Sequence, residues 1–197
     1  MYLKTVSDAE ATGQIAEIYS RSIAERGFVM AATRCWTVRP DVLPVYDAFL
    51  DTIRSKFSLG ARAWRLITFI AAKEVPSTYC SHVYSKALLA DLGSKEAVLA
   101  VQRDFRHAGL SDKDVAMLAY AQQVARDASK IGEADIDTLR RAGFSDVEIS
   151  DIALCASFRC FVSRYFDAVG AGPEAVFIDG DHDFSTAMTI GKAVEPA

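Results

Sequence analysis

The chain has 197 residues, a length that fits one globular domain with or without extra terminal segments. Apolar residues make up 51% of it, the formal net charge is −4, and the Lys and Arg residues form no basic run. This composition gives no electrostatic reason to expect nucleic acid or an anionic membrane as a partner. No stretch approaches about 20 uninterrupted apolar residues, and no apolar segment follows a basic start, so we expect a cytoplasmic protein without a transmembrane helix.

The four cysteines and three histidines lack the spacing of a metal site. No two cysteines are arranged as Cys-x-x-Cys, and the histidines lie far apart, whereas zinc sites use paired ligands. Without a secretory signal the thiols are expected to be free. We therefore expect neither a metal nor a cofactor. The residues concerned are Cys35, Cys80, Cys155, Cys160, His82, His107 and His182.

Apolar residues recur at three- and four-residue intervals along most of the chain, which predicts helices. Gly27 and Gly93 mark helix ends, Pro40 suits a first helical turn, and Ser145-Asp-Val-Glu148 is a capping box. Residues 28–39 lack periodicity and are predicted to form a loop. The predicted helices cover residues 8–25, 40–53, 61–73, 77–92, 95–107, 111–128, 133–141 and 145–169.

The predicted helix 61–73 is apolar on almost every side. A helix of this kind is buried on every side, so it is either the central helix of the domain or covered by a partner subunit. Residues 1–170 are thus expected to form one helical domain. Residues 171–197, rich in Gly, Pro, Asp and Ser, are expected to form an irregular C-terminal tail. No stretch alternates fully between apolar and polar residues, so the predicted fold class is all-α.

Three stretches follow a known family pattern in order and spacing. They are Glu10-Ala-Thr-Gly-Gln-Ile-Ala-Glu-Ile-Tyr19 with Arg39-Pro-Asp-Val-Leu43, Leu59 to Gly93, and Gly143 to Asp167. On these stretches the chain resembles the AhpD-like/carboxymuconolactone decarboxylase superfamily, in its peroxidase-related alkylhydroperoxidase branch. The resemblance implies an orthogonal helical bundle with a central antiparallel helix pair. It also implies a homo-oligomer, such as a dimer, trimer or hexamer.

The peroxidases of that superfamily carry Cys-x-Tyr-Cys-x-x-x-His, with a Glu twelve residues before the first Cys. When Tyr79-Cys80 is aligned with this pattern, Ser77 takes the place of the first Cys. Tyr84 takes the place of the His and Arg65 that of the Glu. Only Cys80 matches, so the redox motif is degenerate. A thiol peroxidase needs a second thiol to resolve its sulfenic acid, and Ser77 cannot provide one.

Ser77, Cys80 and Tyr84 share one face of the predicted helix 77–92. Cys80 lies in the first turn, where the helix dipole favours a thiolate, and Tyr84 can donate or transfer a proton. The alternatives are a vestigial buried thiol and a core tyrosine. His82 lies about 200° around the helix from Cys80. It is either a surface or interface histidine, or a general base acting from the side of the pocket.

Arg65 lies within the apolar helix 61–73, where a buried guanidinium needs a partner or a ligand. One interpretation is an anion clamp that binds a carboxylate bidentately, with Ser77 and Trp64 as further substrate contacts. The other is an internal ion pair, for instance with Glu74 or Asp167.

Three hypotheses for function follow, each with different consequences. The first is a cofactor-independent decarboxylase, lyase or isomerase for a small anionic carbonyl or lactone substrate. In it Arg65 holds an oxygen anion, while Tyr84, Cys80 or His82 moves the proton. The second is an alkylhydroperoxidase-like antioxidant protein that uses Cys80 alone with an external reductant. The third is a non-catalytic helical scaffold, with a closed pocket and Arg65 in an internal ion pair.

Overall fold

A computed structural model describes residues 1–194 of the chain and contains ten α-helices and no strand in that range, which confirms the predicted fold class. None of these helices is long and apolar enough to cross a membrane. The helices are α1 (Gly13–Arg26), α2 (Ala31–Arg34), α3 (Leu43–Ser55), α4 (Gly60–Glu74), α5 (Thr78–Leu92), α6 (Lys95–Asp104), α7 (Asp112–Asp127), α8 (Glu133–Arg141), α9 (Asp146–Val169) and α10 (His182–Met188).

Helix α4 is the central helix that its apolar sequence predicts. It packs against α5, α7 and α9, and its residues 66–72 are all buried within a single protomer. Helix α5 follows after a three-residue turn and packs along α4, so the two form the core pair. Because the chain itself buries α4, this helix gives no support for a partner subunit. The homo-oligomer therefore stays a prediction.

Two N-terminal segments differ from the sequence prediction. Helix α1 begins at Gly13 and not at Asp8, because the backbone N–H and the hydroxyl of Ser7 donate to the carboxylate of Glu10 and form a local turn instead. The predicted loop 28–39 contains α2 and a 3-10 turn. The first backbone N–H of α2 donates to the carboxylate of Glu174, so a distant residue supplies the cap that the local sequence lacks.

The C-terminal segment is more regular than the predicted tail 171–197. It contains a 3-10 turn and α10, which packs against α5 and α6 and buries Phe184 and Met188. We call residues 171–194 the C-terminal strap; residues 195–197 of the predicted tail lie outside the described range. The strap packs against α5 and α6, so it forms part of the fold.

The end of the strap lies against the turn between α4 and α5. The backbone N–H of Gly191 donates to the Thr78 hydroxyl at 2.9 Å. A Cβ atom at position 191 would lie 1.9 Å from the carbonyl oxygen of Pro76, so the backbones approach too closely for any side chain. The strap therefore helps to fix the first turn of α5.

We expect Gly191→Ala to displace the strap and to lower the free energy of unfolding by about 1–3 kcal/mol, because the clash is with backbone. Gly180→Ala is the matched control, since a Cβ atom there meets nothing within 4 Å. Chemical denaturation of both variants would measure the difference. Equal stability of the two variants would contradict the close contact at Gly191.

His82 lies beneath the same strap. The side chain is almost wholly buried, and its Nε2 atom is 3.1 Å from the Thr189 hydroxyl. Burial lowers the pKa of His82 below its usual value, so the native state holds a neutral ring. The folded chain therefore binds fewer protons here than the unfolded chain. This contribution to stability is present above about pH 6.5 and is lost as the pH falls below that value.

We expect the backbone amides around Thr189 to exchange with solvent faster at about pH 5.5 than at pH 7.5, after correction for intrinsic exchange rates. His82→Gln keeps an amide hydrogen bond to Thr189 without a titrating ring, so its corrected exchange should not accelerate. Hydrogen exchange followed by mass spectrometry measures both proteins. The same acceleration in the variant would show that His82 is not its cause.

Candidate active site

A cavity of about 510 Å³ opens between α1, α3, α5 and α9, beneath α2. We call it the central cavity. Aromatic rings and one guanidinium group form much of its inner wall, whereas charged side chains of α1 and α3 line its mouth. The inner lining includes Tyr46, Tyr79, Tyr84, Arg159 and Phe166.

Arg159 reaches the central cavity from the buried face of α9. Its exposed fraction is only 5%, and no carboxylate among residues 1–194 pairs with it. Nη1 donates to the Cys80 sulfur at 3.3 Å and Nη2 donates to the Tyr84 hydroxyl at 2.8 Å, while Nε has no partner within the described range. A buried cation without a carboxylate is costly, so its remaining partners must carry or attract negative charge.

Cys80 is the third residue of α5 and has no exposed surface. Its sulfur accepts hydrogen bonds from Arg159 and from the Ser163 hydroxyl, the latter at 3.2 Å. A guanidinium group can only donate, and the first turn of a helix favours a negative charge. The surroundings of Cys80 are therefore those that stabilise a thiolate.

The Tyr84 hydroxyl oxygen accepts from two donors. One is Arg159, whose guanidinium carbon also lies 4.7 Å from the centre of the Tyr84 ring, and the other is Trp64 Nε1 at 3.4 Å. Because both donors point at the oxygen, the phenolic proton is left to donate in another direction. Since Tyr84 lines the central cavity, that proton can be given to a molecule bound there.

The other ionisable groups around Arg159 are neutral. Burial raises the pKa of the Cys35 and Cys155 thiols to about 12 and also raises the pKa values of the Tyr46 and Tyr79 hydroxyls. Burial alone would lower the pKa of Arg159, but its neighbours, Tyr84 and Cys80 foremost, raise it overall. Arg159 therefore keeps its charge, and only its two direct contacts are placed to balance it.

Arg65 does not have the free guanidinium that the anion-clamp prediction requires. Its Nε and Nη2 atoms donate to the two carboxylate oxygens of Asp91, both at 2.6 Å, and Asp91 raises the pKa of Arg65. Arg65 therefore pairs with Asp91 and not with Glu74 or Asp167. The pairing follows from the packing of α5, which carries Asp91, against α4, which carries Arg65. Within the structure, the free guanidinium of the region belongs to Arg159 and not to Arg65.

The other predicted site residues, Trp64, Ser77 and His82, do not line the central cavity. Trp64 and Arg65 line a second cavity of about 680 Å³ that shares Tyr84 with the central cavity. Ser77 is buried at the start of α5 and does not line either cavity, and His82 faces the strap. Of the predicted group, the structure brings Cys80 and Tyr84 together around Arg159. Within residues 1–194, no three His, Cys, Asp or Glu side chains cluster closely enough to hold a metal ion.

Sequence reasoning missed Arg159 although a signal for it exists. Arg159 and Ser163 interrupt an apolar stripe that repeats every three or four residues and faces the core. As with Arg65, a charged residue in such a stripe needs a partner or a ligand. Arg159 is more deeply buried than Arg65. The other members of the stripe are Ile149, Ile152, Ala156 and Phe166.

No protein-family model and no curated protein matches the chain. Solved structures with the same fold do match over nearly its whole length. An alkylhydroperoxidase AhpD core structure, an uncharacterized peroxidase-related protein from Ralstonia eutropha JMP134, is 21% identical with a TM-score of 0.79 and covers 97% of each chain. An uncharacterized peroxidase-related protein from Silicibacter sp. TM1040 is 21% identical with a TM-score of 0.78, covering 88% of this chain and 93% of that one.

A third similar structure is a Cys-to-Ala variant of the debrominase Bmp8 in complex with 2,3,4-tribromopyrrole. It is 17% identical with a TM-score of 0.76, and the match covers 90% of this chain and 94% of that one. At these identities the similarity concerns the fold and not the activity. The chain therefore has the AhpD-like helical fold that the pattern of its sequence predicts.

Proposed function

We propose that the chain is a cofactor-independent lyase, decarboxylase or isomerase that acts on a small anionic carbonyl or lactone compound in the central cavity. One observation carries the proposal. The buried guanidinium of Arg159 has no carboxylate partner among the described residues, and it faces the cavity beside the Tyr84 hydroxyl. Arg159 thus takes the role of the anion clamp that the sequence suggested for Arg65.

The chemistry needs two groups, both present in the cavity wall. As the C–C bond to a departing carboxylate breaks, its electron pair moves through the carbon framework onto the carbonyl oxygen. A fixed guanidinium in a dry site stabilises that developing charge more than water does. Tyr84 then gives its proton to the carbon and recovers one from solvent. Decarboxylation by this route releases CO₂ and consumes one proton, whereas isomerisation requires in addition a base that accepts a proton from carbon.

We expect Tyr84→Phe to lower kcat by about 100-fold or more while changing KM little, because it removes a proton donor and keeps the ring in the cavity wall. The assay follows 3-oxo carboxylates and carboxylated lactones by NMR, for loss of CO₂ or exchange of the α-hydrogen with solvent deuterium. Tyr120→Phe on α7, outside both cavities, is the control. Full activity of Tyr84→Phe, or no turnover of the panel by wild type, would contradict the proposal.

A thiol-dependent reductase is the second candidate, and the donors around Cys80 favour it. The solved structures of similar fold include peroxidase-related proteins and a debrominase in which a cysteine is replaced by alanine. In peroxide reduction the thiolate attacks one peroxide oxygen and the O–O bond breaks. The products are a cysteine sulfenic acid and an alcohol. Two equivalents of an external thiol then restore Cys80, with release of water and a disulfide, because Ser77 offers no resolving sulfur.

For this second candidate we expect Cys80→Ser to abolish peroxide consumption in the presence of a small dithiol, while Cys35→Ser keeps it. Cys35 is the matched control because its thiol is equally buried but has a pKa raised to about 12, so it is protonated at neutral pH. Peroxide loss measured in both variants decides the matter. Equal rates in wild type and Cys80→Ser would exclude the thiol mechanism and leave the acid–base one.

The scaffold hypothesis predicts a closed pocket and an internal ion pair for Arg65, and only the second feature is present. Arg65 lies in an internal ion pair, as that hypothesis requires. However, the central cavity is not closed by core side chains, and the charged group in its wall is unpaired by any carboxylate of the described range. A cavity with an uncompensated cation is better suited to binding an anion than to filling space.

A further inference from the structure

We infer that the Cys80 thiolate is the resting counter-ion of Arg159, and that binding of an aromatic carboxylate in the central cavity transfers a proton from solvent to Cys80. The cavity is thus an anion site whose affinity is coupled to the uptake of a proton. The inference rests on the anion-binding role of Arg159 in the proposed function, and it adds the ligand class and the pH dependence.

The charges inside the cavity must balance, because an unpaired buried charge is costly. Arg159 is the sole cation in the inner wall, and it supplies one positive charge. The ionisable groups that face Arg159 or its immediate neighbours come from α3, from α5, from α9 itself and from the 3-10 turn after α2. They are Tyr46, Tyr79, Cys80, Tyr84, Cys155 and Cys35.

The charged residues at the mouth are largely balanced among themselves and are half-exposed or exposed. Arg21 pairs with Asp47, and Arg26 pairs with Glu25. Asp51 and Arg54 contribute one charge of each sign. Solvent screens these groups, so they do not neutralise a cation buried in the wall.

Among the facing groups, Cys80 is the one that holds the negative charge. Four of the others stay protonated because burial raises their pKa values, which leaves Cys80 and Tyr84. Thiols are intrinsically more acidic than phenols by about 1.5 pKa units. The Cys80 sulfur also accepts from both Arg159 and Ser163, at 3.3 and 3.2 Å.

A ligand carboxylate competes with the thiolate for the same guanidinium. The Nε–H of Arg159 is buried and has no partner within the described range, and Nη2 beside it contacts Tyr84 in the cavity wall, so this edge of the fork has unused capacity for a bidentate carboxylate. The rings of Tyr46, Tyr79 and Phe166 supply the apolar wall for an aromatic ring. One buried cation cannot balance two buried anions, because like charges in contact disfavour ionisation. The thiolate therefore becomes a thiol when the carboxylate binds.

The test is calorimetric titration of the full chain with benzoate, in two buffers of different ionisation heat. We expect wild type to take up about one proton per benzoate bound. We expect its affinity to fall about tenfold per pH unit over the range in which the free protein holds the thiolate. Cys80→Ser should bind benzoate more tightly at pH 8, without proton uptake or pH dependence, while Cys35→Ser should behave like wild type.

Any of the following results of the titration would overturn the inference. Failure of wild type to bind benzoate removes the anion site, and binding without proton uptake removes the coupling. Uptake that persists in Cys80→Ser assigns the proton to Tyr84. Should the serine variant fail to fold, the ultraviolet absorbance of the thiolate in wild type gives a second measurement. Benzoate should abolish one thiolate's absorbance, and no change would overturn the inference.

The two proposals fail in different ways. Proton-coupled benzoate binding together with full activity of Tyr84→Phe would keep the anion site and reject the acid–base mechanism. Loss of activity in Tyr84→Phe together with benzoate binding that takes up no proton would keep the mechanism and reject Cys80 as the counter-ion.

Discussion

The buried guanidinium of Arg159 is the constraint on which the candidate active site depends. Helix α9 places it on a face that is otherwise apolar, so its charge must be balanced within a few ångströms. The structure meets this demand with a sulfur and a phenolic oxygen from α5 instead of a carboxylate. The arrangement leaves the cation without a carboxylate partner among the described residues at the wall of a cavity, which is a physical reason for the cavity to bind anions.

Contacts between distant segments fix the elements that surround the candidate site. The hydrogen bond between Gly191 and Thr78 fixes the first turn of α5 from the strap side. Above the cavity, Trp36 stacks between Tyr46 and Tyr165, with ring centroids 4.3 and 4.0 Å apart. These contacts hold the N-terminal segment against α3 and α9.

This chain has different residues at several positions of the peroxidase pattern, but it still has a cavity lined by polar groups at that place. Tyr84, at the position of the family's His, keeps a hydroxyl in contact with a cation and with the cavity. Arg65, at the position of the family's Glu, is neutralised by Asp91 and takes no part in the wall of the central cavity. The redox relay has been replaced by a guanidinium, a thiol and a phenol, a set whose chemistry is acid–base and electrostatic as much as redox.

The sequence by itself determined eight of the ten described helices and their order, because apolar periodicity and local caps act over a few residues. The capping box at Ser145 and the C-terminal Gly93 are examples, and the structure has both where they were predicted. It also determined that Cys80 and Tyr84 share a helical face. What only the tertiary structure decided are pairings between distant segments. Glu174 caps α2 although it lies 143 residues away in the sequence. Asp91 forms an ion pair with Arg65, and α9 places Arg159 in contact with Cys80. A local pattern shows that a buried charge needs a partner, but the packing of the helices selects which one.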